Sequence, residues 1–404
     1  MNRKRIVIVG GSFGGINAAY ELRKQLGRKT DITLISRESV FTFTPSLPWL
    51  VMGWRKPESL LVPLAKPLKR AGIHFVQSNV EALDAEKCVI STETERFSYD
   101  ALLLATGAEL DYGAIPGLGP ITGCTQSIFN VDEASQARST LADTLGRDSG
   151  RIVVGAAPGA SCIGPAYELI LQIDTVLKWA RKRHRFTLTY VTQEPFIGHF
   201  GIGGIGHSPR MVQDEFASRS IESVTNTRII QAEPNRLILA DGQELGFDFS
   251  LVIPAFLGSG FVRAVSGLAN PKGFIPVTTN LASVKYPNIY SAGVAVAIPS
   301  PFTTAVPVGV PKTGHMTELM ARAAAYNIAV EILGRPMVEG LSLPSVCIAD
   351  AGDTAFYMSA DPFLPPRNRA VNKRGKWAKY LKLAFERYYM ARIRYGLPPL
   401  HFGW

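Results

Sequence analysis

Short apolar runs alternate with longer amphipathic stretches along this chain of 404 residues, and the alternation predicts its secondary structure. The run Lys4–Val9 predicts a β-strand, apolar residues at helical spacing between 18 and 26 predict a helix, and Asp31–Ser36 predicts a second strand. The same order of strand and helix returns at Ile152–Val154 and Pro165–Ala180. Strands that alternate with helices indicate an α/β fold built on parallel sheets.

A glycine-rich segment, Gly10–Gly15, joins the first predicted strand to its helix. A turn in that place presents backbone N–H groups and a helix N-terminus to a pyrophosphate, so the segment predicts dinucleotide binding. The match to the G-x-G-x-x-G pattern is imperfect. Ser12 stands at the middle glycine, and the tripeptide 36–38 (SRE) does not begin with the acidic residue that normally ends the second strand. A purely structural glycine turn is the alternative.

The segment 151–168 (RIVVGAAPGASCIGPAYE) begins like a second dinucleotide-binding unit and then departs from the pattern. Its apolar strand reaches Gly155, but the remaining glycines of the pattern do not follow, and Cys162 stands there instead. Pro158 and Pro165 further restrict the start of the helix. The segment therefore predicts one half of a two-dinucleotide protein that has lost a nicotinamide site and gained a thiol.

Two further stretches concern a possible cofactor. Phe41–Trp54 is rich in aromatic residues and prolines, and it is either a packed loop or a cover over a cofactor.

Pro311–Arg335 predicts a helix that Thr313 can cap and that Gly334 ends. Lys312 stands at its N-terminus, where a cation opposes the helix dipole and so indicates an anionic partner. The spacing alone favours the alternative, a solvated lysine in a loop.

The cysteines and histidines exclude some kinds of site. Four cysteines, at positions 88, 124, 162 and 347, are too few and too scattered for a secreted disulfide scaffold, and no two form a C-x-x-C pair. A catalytic or redox role stays open for them. The glycine-rich stretch 193–207 holds His199 and His207 without an acidic or cysteine partner at metal-ligand spacing, so we predict no metal site.

The net charge of +10 is concentrated near the C-terminus. Between Arg367 and Arg394 the chain has ten Lys or Arg and one acidic residue, which leaves 33 basic and 32 acidic residues in the other 376 positions. Within 374–396 the apolar and aromatic residues share one helical side that the basic residues largely avoid: the first group is Trp377, Leu381, Ala384, Phe385, Tyr388 and Ala391, and the second is Lys376, Lys379, Lys382, Arg387 and Arg394. This pattern is typical of a helix in a membrane interface, and docking onto the protein core is the alternative.

Other membrane and nucleic acid classes are not predicted. The N-terminal MNRKR and the strand after it lack the long apolar region of a signal peptide. The longest uncharged stretch, Tyr286–Pro311, has 26 residues but five prolines, so we predict no transmembrane segment. No recognition fold accompanies the basic run, so we predict no nucleic acid partner. We therefore predict a globular protein of two or three domains that is peripheral to the cell membrane.

Eight segments occur in the order seen in the sulfide:quinone oxidoreductases: GGSFGG, FTFTPSLPW, LLLATGA, GAAPGASCIGPAYE, EPFIGHFGIGG, AGVAVAIP, PVGVPKTGHM and VCIADAGDT. The chain resembles that family, which is related to flavocytochrome c sulfide dehydrogenase and type II NADH dehydrogenases, from about Lys4 to about Gly396. The resemblance implies two Rossmann-like dinucleotide-binding domains of the glutathione reductase type. The implied domains are an FAD-binding domain at 1–110 and 270–335, a degenerate second dinucleotide-binding domain at 111–269, and a C-terminal redox-cysteine, membrane-binding and quinone-binding region at 336–404.

The resemblance also implies an FAD site along the first glycine turn. The residues that would line it are Gly10, Gly11, Ser12, Phe13, Gly14, Gly15, Ser36, Arg37, Thr44, Pro45, Val80, Ala105, Thr106, Gly107, Gly293 and Val294. Lys312 would lie near the pyrimidine side of the flavin, where a cation and a helix N-terminus stabilise the reduced ring.

The family's chemistry implies a redox pair of Cys162 and Cys347. Hydrosulfide would attack a disulfide or polysulfide bridge between them, and two electrons would pass through FAD to a membrane quinone. Glu168 and His199 match candidates for proton handling in the family. The implied quinone pocket under the amphipathic helix contains Ile348, Phe385 and Tyr388.

The chain departs from the family at its third redox cysteine. The family's SICxVDHA segment is SIFNVDEA here, so Phe129 replaces the cysteine and Glu133 replaces the histidine. Cys124, five residues upstream, is a candidate substitute.

Sulfide oxidation with quinone is the leading hypothesis. The alternatives are a same-fold enzyme with another donor or acceptor, such as a flavocytochrome c-like sulfide dehydrogenase or an NADH:quinone oxidoreductase, and a non-catalytic membrane-associated flavoprotein. A homo-oligomer stays open.

Overall fold

The computed structural model describes residues 3–337 and 343–397, so the parts of the predicted C-terminal region at 338–342 and 398–404 lie outside the described residues. Its helices are α1 (Phe13–Leu26), α2 (Leu47–Val51), α3 (Ala65–Arg70), α4 (Val131–Gly146), α5 (Gly164–Trp179), α6 (Ser208–Ser218), α7 (Gly260–Arg263), α8 (Gly314–Ile332) and α9 (Lys376–Tyr395). Its strands are β1 (Arg5–Val9), β2 (Asp31–Ser36), β3 (Val40–Thr42), β4 (Leu61–Pro63), β5 (His74–Gln77), β6 (Val80–Asp84), β7 (Val89–Thr92), β8 (Arg96–Ser98), β9 (Ala101–Leu104), β10 (Glu109–Asp111), β11 (Gly150–Ala156), β12 (Phe186–Val191), β13 (Glu222–Val224), β14 (Ile229–Glu233), β15 (Arg236–Leu239), β16 (Glu244–Gly246), β17 (Phe249–Ile253), β18 (Ala255–Leu257), β19 (Ile289–Ser291), β20 (Ser345–Asp350), β21 (Ala355–Asp361) and β22 (Arg369–Arg374).

The first sheet consists of five parallel strands in the order β19-β9-β1-β2-β5. Its central strand is buried on both faces, as expected for a parallel sheet covered on both sides. Ile6 and Ile8 pack with the core of α1 and α8, whereas Val7 and Val9 pack on the side of the β6–β8 sheet. The strand–helix–strand unit predicted from the first 36 residues is confirmed.

The second sheet consists of four parallel strands in the order β13-β12-β11-β17. Helix α5 packs on it through fully buried residues such as Leu169, Ile170 and Ile173. The predicted helix at 165–180 differs from α5 by one residue at each end. Two Rossmann-like units are therefore present, as the sequence predicts.

The C-terminal part of the described chain is a three-stranded antiparallel sheet, β20-β21-β22, followed by α9. Helix α9 packs on β20 and β21 and reaches the core of the first domain, where Tyr389 and Ile393 are fully buried. Among residues 3–337 and 343–397, no helix is both long enough and apolar enough to cross a membrane.

The sequence predicts Lys382 among the basic residues that avoid the apolar side of the last helix, and the structure buries this residue against another helix. Lys382 is 4% exposed and forms a salt bridge with Glu168 of α5. Glu386 and Arg392 are also buried on the inner face of α9, where they pair with Arg55 and Glu318, respectively. The helix therefore docks through matched charges as well as through apolar residues, because each of these buried charges has a partner outside α9.

Candidate active site

The first glycine turn joins β1 to α1 and leaves no room for side chains. A Cβ on Gly15 would lie 1.8 Å from the Gly10 carbonyl oxygen, and a Cβ on Gly10 would lie 2.2 Å from the Ala105 carbonyl oxygen. Gly10 also has a φ of 116°, a conformation that favours glycine. The backbone can therefore approach a ligand closely at the N-terminus of α1, where free N–H groups are available.

Thr106 supports a polar cofactor at this turn. It lies two residues beyond β9, and its buried hydroxyl has no hydrogen-bond partner among the described residues. A buried hydroxyl without a partner is costly unless a bound group supplies the hydrogen bond. The glycine turn and this hydroxyl together fit the FAD that the sequence predicts.

The predicted FAD residues collect at one edge of the first sheet. Gly10, Ser36, Val80, Ala105 and Gly293 lie at or just beyond the carboxyl ends of the five strands. The carboxyl ends of parallel strands meet at the same edge of a sheet. The fold therefore brings these residues together, although the first and the last are 283 positions apart in the sequence (293 − 10).

Other predicted FAD residues lie at the border of this edge. Thr44 and Pro45 form part of a short 3₁₀ turn between β3 and α2. The preceding Phe41 and Phe43 are fully buried, so this stretch is a packed loop as well as a neighbour of the glycine turn. Arg37 is exposed, and its guanidinium pairs with the adjacent Glu38 at 3.0 Å.

Lys312 is buried rather than solvated, which excludes the alternative that its spacing favoured. Its ammonium donates hydrogen bonds to the carbonyl oxygens of Val294, at 2.8 Å, and of Val296. It also lies 4.2 Å from the centroid of the Phe274 ring. Burial lowers the pKa of Lys312 to about 8, and the nearby Cys162 opposes that shift. Lys312 therefore places a cation beside Val294, at the predicted FAD site.

Cys162 and Cys347 belong to the same buried region, although 185 positions separate them (347 − 162). Cys162 precedes α5 and donates a hydrogen bond from its thiol to the Lys312 carbonyl oxygen, at 3.6 Å. Cys347 lies on β20, and both are free thiols. Burial raises the pKa of each thiol; that of Cys347 rises to about 11, with further contributions from the charges of Glu168 and Cys162. Cys162 thus lies next to Lys312, and it is near enough to Cys347 for the two thiols to interact electrostatically.

Glu168 is a buried carboxyl that interacts electrostatically with Cys347. It accepts hydrogen bonds from the ammonium of Lys382 and from the Gln172 amide, the latter at 3.0 Å. Burial raises the pKa of Glu168 to about 7, and Lys382 lowers it again without cancelling the effect. A carboxyl that titrates near neutral pH and interacts with Cys347 is suited to proton transfer at the pair.

His199 is buried between the rings of Phe196 and Phe302, whose centroids lie 5.1 and 6.0 Å from its own. Its Nδ1 accepts a hydrogen bond from the Gly201 N–H at 3.1 Å, and burial lowers its pKa. The imidazole is therefore neutral at physiological pH. A Cβ on Gly201 would lie 2.1 Å from the Gly309 carbonyl oxygen, so this loop packs on the segment that leads to Lys312.

Sequence reasoning missed Glu194. This fully buried carboxyl accepts hydrogen bonds from the Tyr167 hydroxyl at 2.6 Å, the Thr192 hydroxyl at 2.9 Å and the Phe200 N–H at 2.7 Å. Burial raises its pKa to about 7. It anchors the loop that holds His199. The sequence contains no signal for this role, because one partner, Tyr167, is 27 positions away on α5 and no local pattern links it to Glu194.

Cys124, the candidate substitute for the third cysteine, lies in an irregular segment outside the helices and strands. The backbone N–H of Cys124 donates to the Gly117 carbonyl oxygen at 2.7 Å in the linker before α4. Phe129, in the place of the family's third cysteine, contacts the ring of Phe256 with centroids 5.2 Å apart. Glu133 accepts hydrogen bonds from the Phe129 N–H and the Tyr112 hydroxyl. Phe129 and Glu133 therefore make packing and hydrogen-bond contacts that hold this segment in the fold.

The predicted quinone residues lie around α9. Phe385 packs against the rings of Phe43 and Tyr389, with centroids 5.9 and 5.5 Å away. Phe43 and Tyr389 in turn contact Phe13 of the glycine turn. An aromatic cluster therefore connects the predicted FAD site to the surface helix. The other two predicted residues are Ile348, beside Cys347 on β20, and the partly exposed Tyr388 on α9.

The second dinucleotide turn is occupied by the chain itself. The N–H of Gly159 donates to the Pro307 carbonyl oxygen at 2.7 Å, and the N–H of Gly309 donates to the Ala160 carbonyl oxygen at 3.0 Å. A Cβ on Gly309 would lie 2.6 Å from that of Ser161. Backbone groups of the turn after β11 are therefore hydrogen-bonded to the segment 307–309. This agrees with the prediction that the second unit has lost its nicotinamide site.

Comparisons with known proteins agree with this geometry. Residues 4–309 match the family model of the pyridine nucleotide-disulphide oxidoreductases. The sulfide-quinone reductase of Aquifex aeolicus is 40% identical over 400 residues, which are 97% of this chain and 92% of that protein. The X-ray structure of the sulfide:quinone oxidoreductase from the same bacterium superposes with a TM-score of 0.94 at 38% identity, over 99% of this chain and 93% of the other. The NDH2 of Plasmodium falciparum in complex with NADH superposes with a TM-score of 0.70 at 14% identity, over 97% and 98%, and shares the fold alone.

Fold and site thus define a pyridine nucleotide-disulphide oxidoreductase with two Rossmann-like units. The Aquifex comparison places the chain more narrowly: it belongs to the sulfide-quinone reductase family. The family and fold class predicted from the sequence are confirmed.

Proposed function

We propose that this chain is an FAD-dependent sulfide:quinone oxidoreductase that transfers two electrons from hydrosulfide to a quinone. The observation that carries the proposal is that Cys162 contacts Lys312 and interacts electrostatically with Cys347, in a chain of this family. The blocked second turn supports a donor other than a nicotinamide.

In the oxidised state the substrate meets a disulfide of Cys162 and Cys347. Hydrosulfide attacks one sulfur, the bond between the two cysteines breaks, and a persulfide forms while the other cysteine leaves as a thiolate with the electron pair. FAD held at the first glycine turn would supply a two-electron acceptor for that pair and a donor for the quinone. Lys312 contributes a fixed cation at this site, held by the carbonyl oxygens of Val294 and Val296.

Glu168 is the proposed proton acceptor at the pair. Its pKa of about 7 allows it to exchange a proton near neutral pH, and its charge acts on Cys347. Lys382 and Gln172 hold the carboxyl in place. His199 is proposed as a second, more distant proton carrier, in the loop that packs on the segment before Lys312.

A membrane surface is the proposed location of the quinone exchange. Trp377, Tyr380 and Leu381 lie on the outward side of α9 and are 46%, 69% and 38% exposed, and exposed Lys376 and Arg387 flank them. Aromatic residues with neighbouring cations are typical of helices that lie in a membrane interface. This face supports a peripheral attachment next to Phe385 and the aromatic cluster.

Anaerobic mixing of the FAD-loaded enzyme with hydrosulfide tests the redox proposal. We expect bleaching of the flavin absorbance, followed by recovery when a short-chain quinone is added. Cys162→Ser and Cys347→Ser should abolish bleaching by hydrosulfide but keep bleaching by dithionite. Cys88→Ser is the matched control, since Cys88 lies in the β6–β8 region away from the pair. Cys124→Ser should also keep its bleaching. Bleaching that survives the loss of Cys162 or Cys347 would contradict the proposal.

A further inference from the structure

A second aromatic patch is exposed beside the N-terminal half of α9. Trp179, the last residue of α5, is 60% exposed, and its ring lies against that of Trp54 with centroids 6.2 Å apart. The ammonium of Lys379 lies 5.4 Å from the Trp54 ring centroid and donates to the Gly352 carbonyl oxygen at 2.7 Å. Trp54 and Lys379 therefore join Trp179 and the outward side of α9 into one surface.

The chain around Trp179 is basic, independently of the excess near the C-terminus. The segment 178–185 (KWARKRHR) has five Lys or Arg and no acidic residue. Lys178, Arg181 and Arg185 are exposed. Lys178 pairs with Asp174 and Arg185 with Asp148, while Arg181 forms no salt bridge among the described residues. An exposed tryptophan thus stands within a cluster of surface cations.

We propose that Trp179, Trp54 and the basic segment 178–185 form a second contact with an anionic phospholipid surface. The inference rests on the proposed membrane contact of α9 and extends it to the second domain. A tryptophan gains free energy in the headgroup region because its ring leaves water while its N–H keeps a polar partner. Neighbouring cations attract anionic headgroups. One helix alone lets the protein rock about the helix axis, and a contact at the end of α5 removes that freedom.

Sedimentation of the FAD-loaded protein with vesicles tests this contact. Phosphatidylcholine vesicles with and without phosphatidylglycerol separate the apolar from the electrostatic contribution. Trp179→Ala should lower the partition coefficient on anionic vesicles about fivefold to tenfold, since it removes one aromatic side chain that the bilayer would bury. Arg181→Glu should lower it by at least about tenfold on anionic vesicles and leave it unchanged on neutral ones.

The matched control is Ile230→Ala, which truncates another exposed apolar residue of the second domain, 49% exposed. Ile230 lines a cavity of about 280 Å³ with Ala157 and Pro158, which follow β11, whereas α5 runs back to the opposite edge of the sheet before it ends at Trp179. We expect Ile230→Ala to bind vesicles like the parent, and all these variants to keep bleaching by hydrosulfide.

The possible outcomes separate this inference from the membrane contact of α9. If Trp377→Ala weakens vesicle binding while Trp179→Ala and Arg181→Glu do not, the second contact is wrong and that of α9 stands. If the parent binds neither kind of vesicle, both are wrong, whereas the redox proposal is untouched. If Trp179→Ala lowers the mass measured by light scattering instead, the patch is an interface between copies of the chain, and the lipid contact is wrong.

Discussion

The proposed role of Glu168 as proton acceptor predicts how the reaction depends on pH. Its pKa of about 7 lies above the usual value for a glutamate, so the carboxyl is protonated in acid and becomes a base as the pH rises through about 7. Glu168→Gln cannot make that change. We expect the ratio of parent to variant rates of sulfide-dependent flavin reduction to rise with pH through about 7 and to level off at about a hundredfold.

The ratio of rates is the useful quantity, because hydrosulfide itself titrates equally for both proteins and cancels. The Gln variant leaves the buried ammonium of Lys382 without its counter-charge, so Glu168→Gln with Lys382→Met is the companion variant. The ratio of parent to double-variant rates should rise with pH through about 7 in the same way. A ratio that stays constant from acid to alkaline pH would show that Glu168 does not accept the proton.

At the scale of an element, α9 is held by buried ion pairs whose loss should be visible in stability. Arg392→Leu leaves Glu318 of α8 buried without a counter-charge, which typically costs about 3–5 kcal/mol. Arg392→Leu combined with Glu318→Leu removes both charges and should recover most of that loss. The measurement is the midpoint of urea unfolding of the FAD-loaded protein.

Arg387→Leu is the matched control on the same helix, because Arg387 is exposed and its removal should shift the midpoint little. Equal destabilisation in the single and double variants of Arg392 would mean that packing at α9, rather than the buried charge, determines the loss. The inner face of α9 carries buried charges as well as apolar residues, so the basic residues of the helix do not by themselves mark the side that faces solvent.

At the scale of the whole molecule, the sequence predicts what local patterns encode. Both strand–glycine–helix units, the cap of α8 by Thr313 and the outward apolar side of α9 follow from spacing alone. The proposed pairing of Cys162 with Cys347 rests on the family resemblance, because 185 positions (347 − 162) separate the two residues and no local pattern links them. The buried state of Lys382 could not be predicted, since its partner Glu168 is 214 positions away and belongs to another element.

The two Rossmann-like units of the molecule differ in what their turns can bind, and this difference predicts the electron donor. In the first unit the glycine turn is open to a ligand, whereas in the second the N–H of Gly159 is already bonded to Pro307 and Gly309 is close to Ser161. A dinucleotide would have to displace the segment 307–309 and break hydrogen bonds worth about 0.5–1.5 kcal/mol each. We therefore expect NADH to leave the flavin of the FAD-loaded enzyme oxidised under anaerobic conditions in which hydrosulfide bleaches it.

Stopped-flow absorbance of both reactions on one enzyme preparation is the measurement, with a type II NADH dehydrogenase as the positive control for NADH. Bleaching by NADH at a rate comparable to that by hydrosulfide would mean that the segment moves aside and that the second unit still serves a nicotinamide.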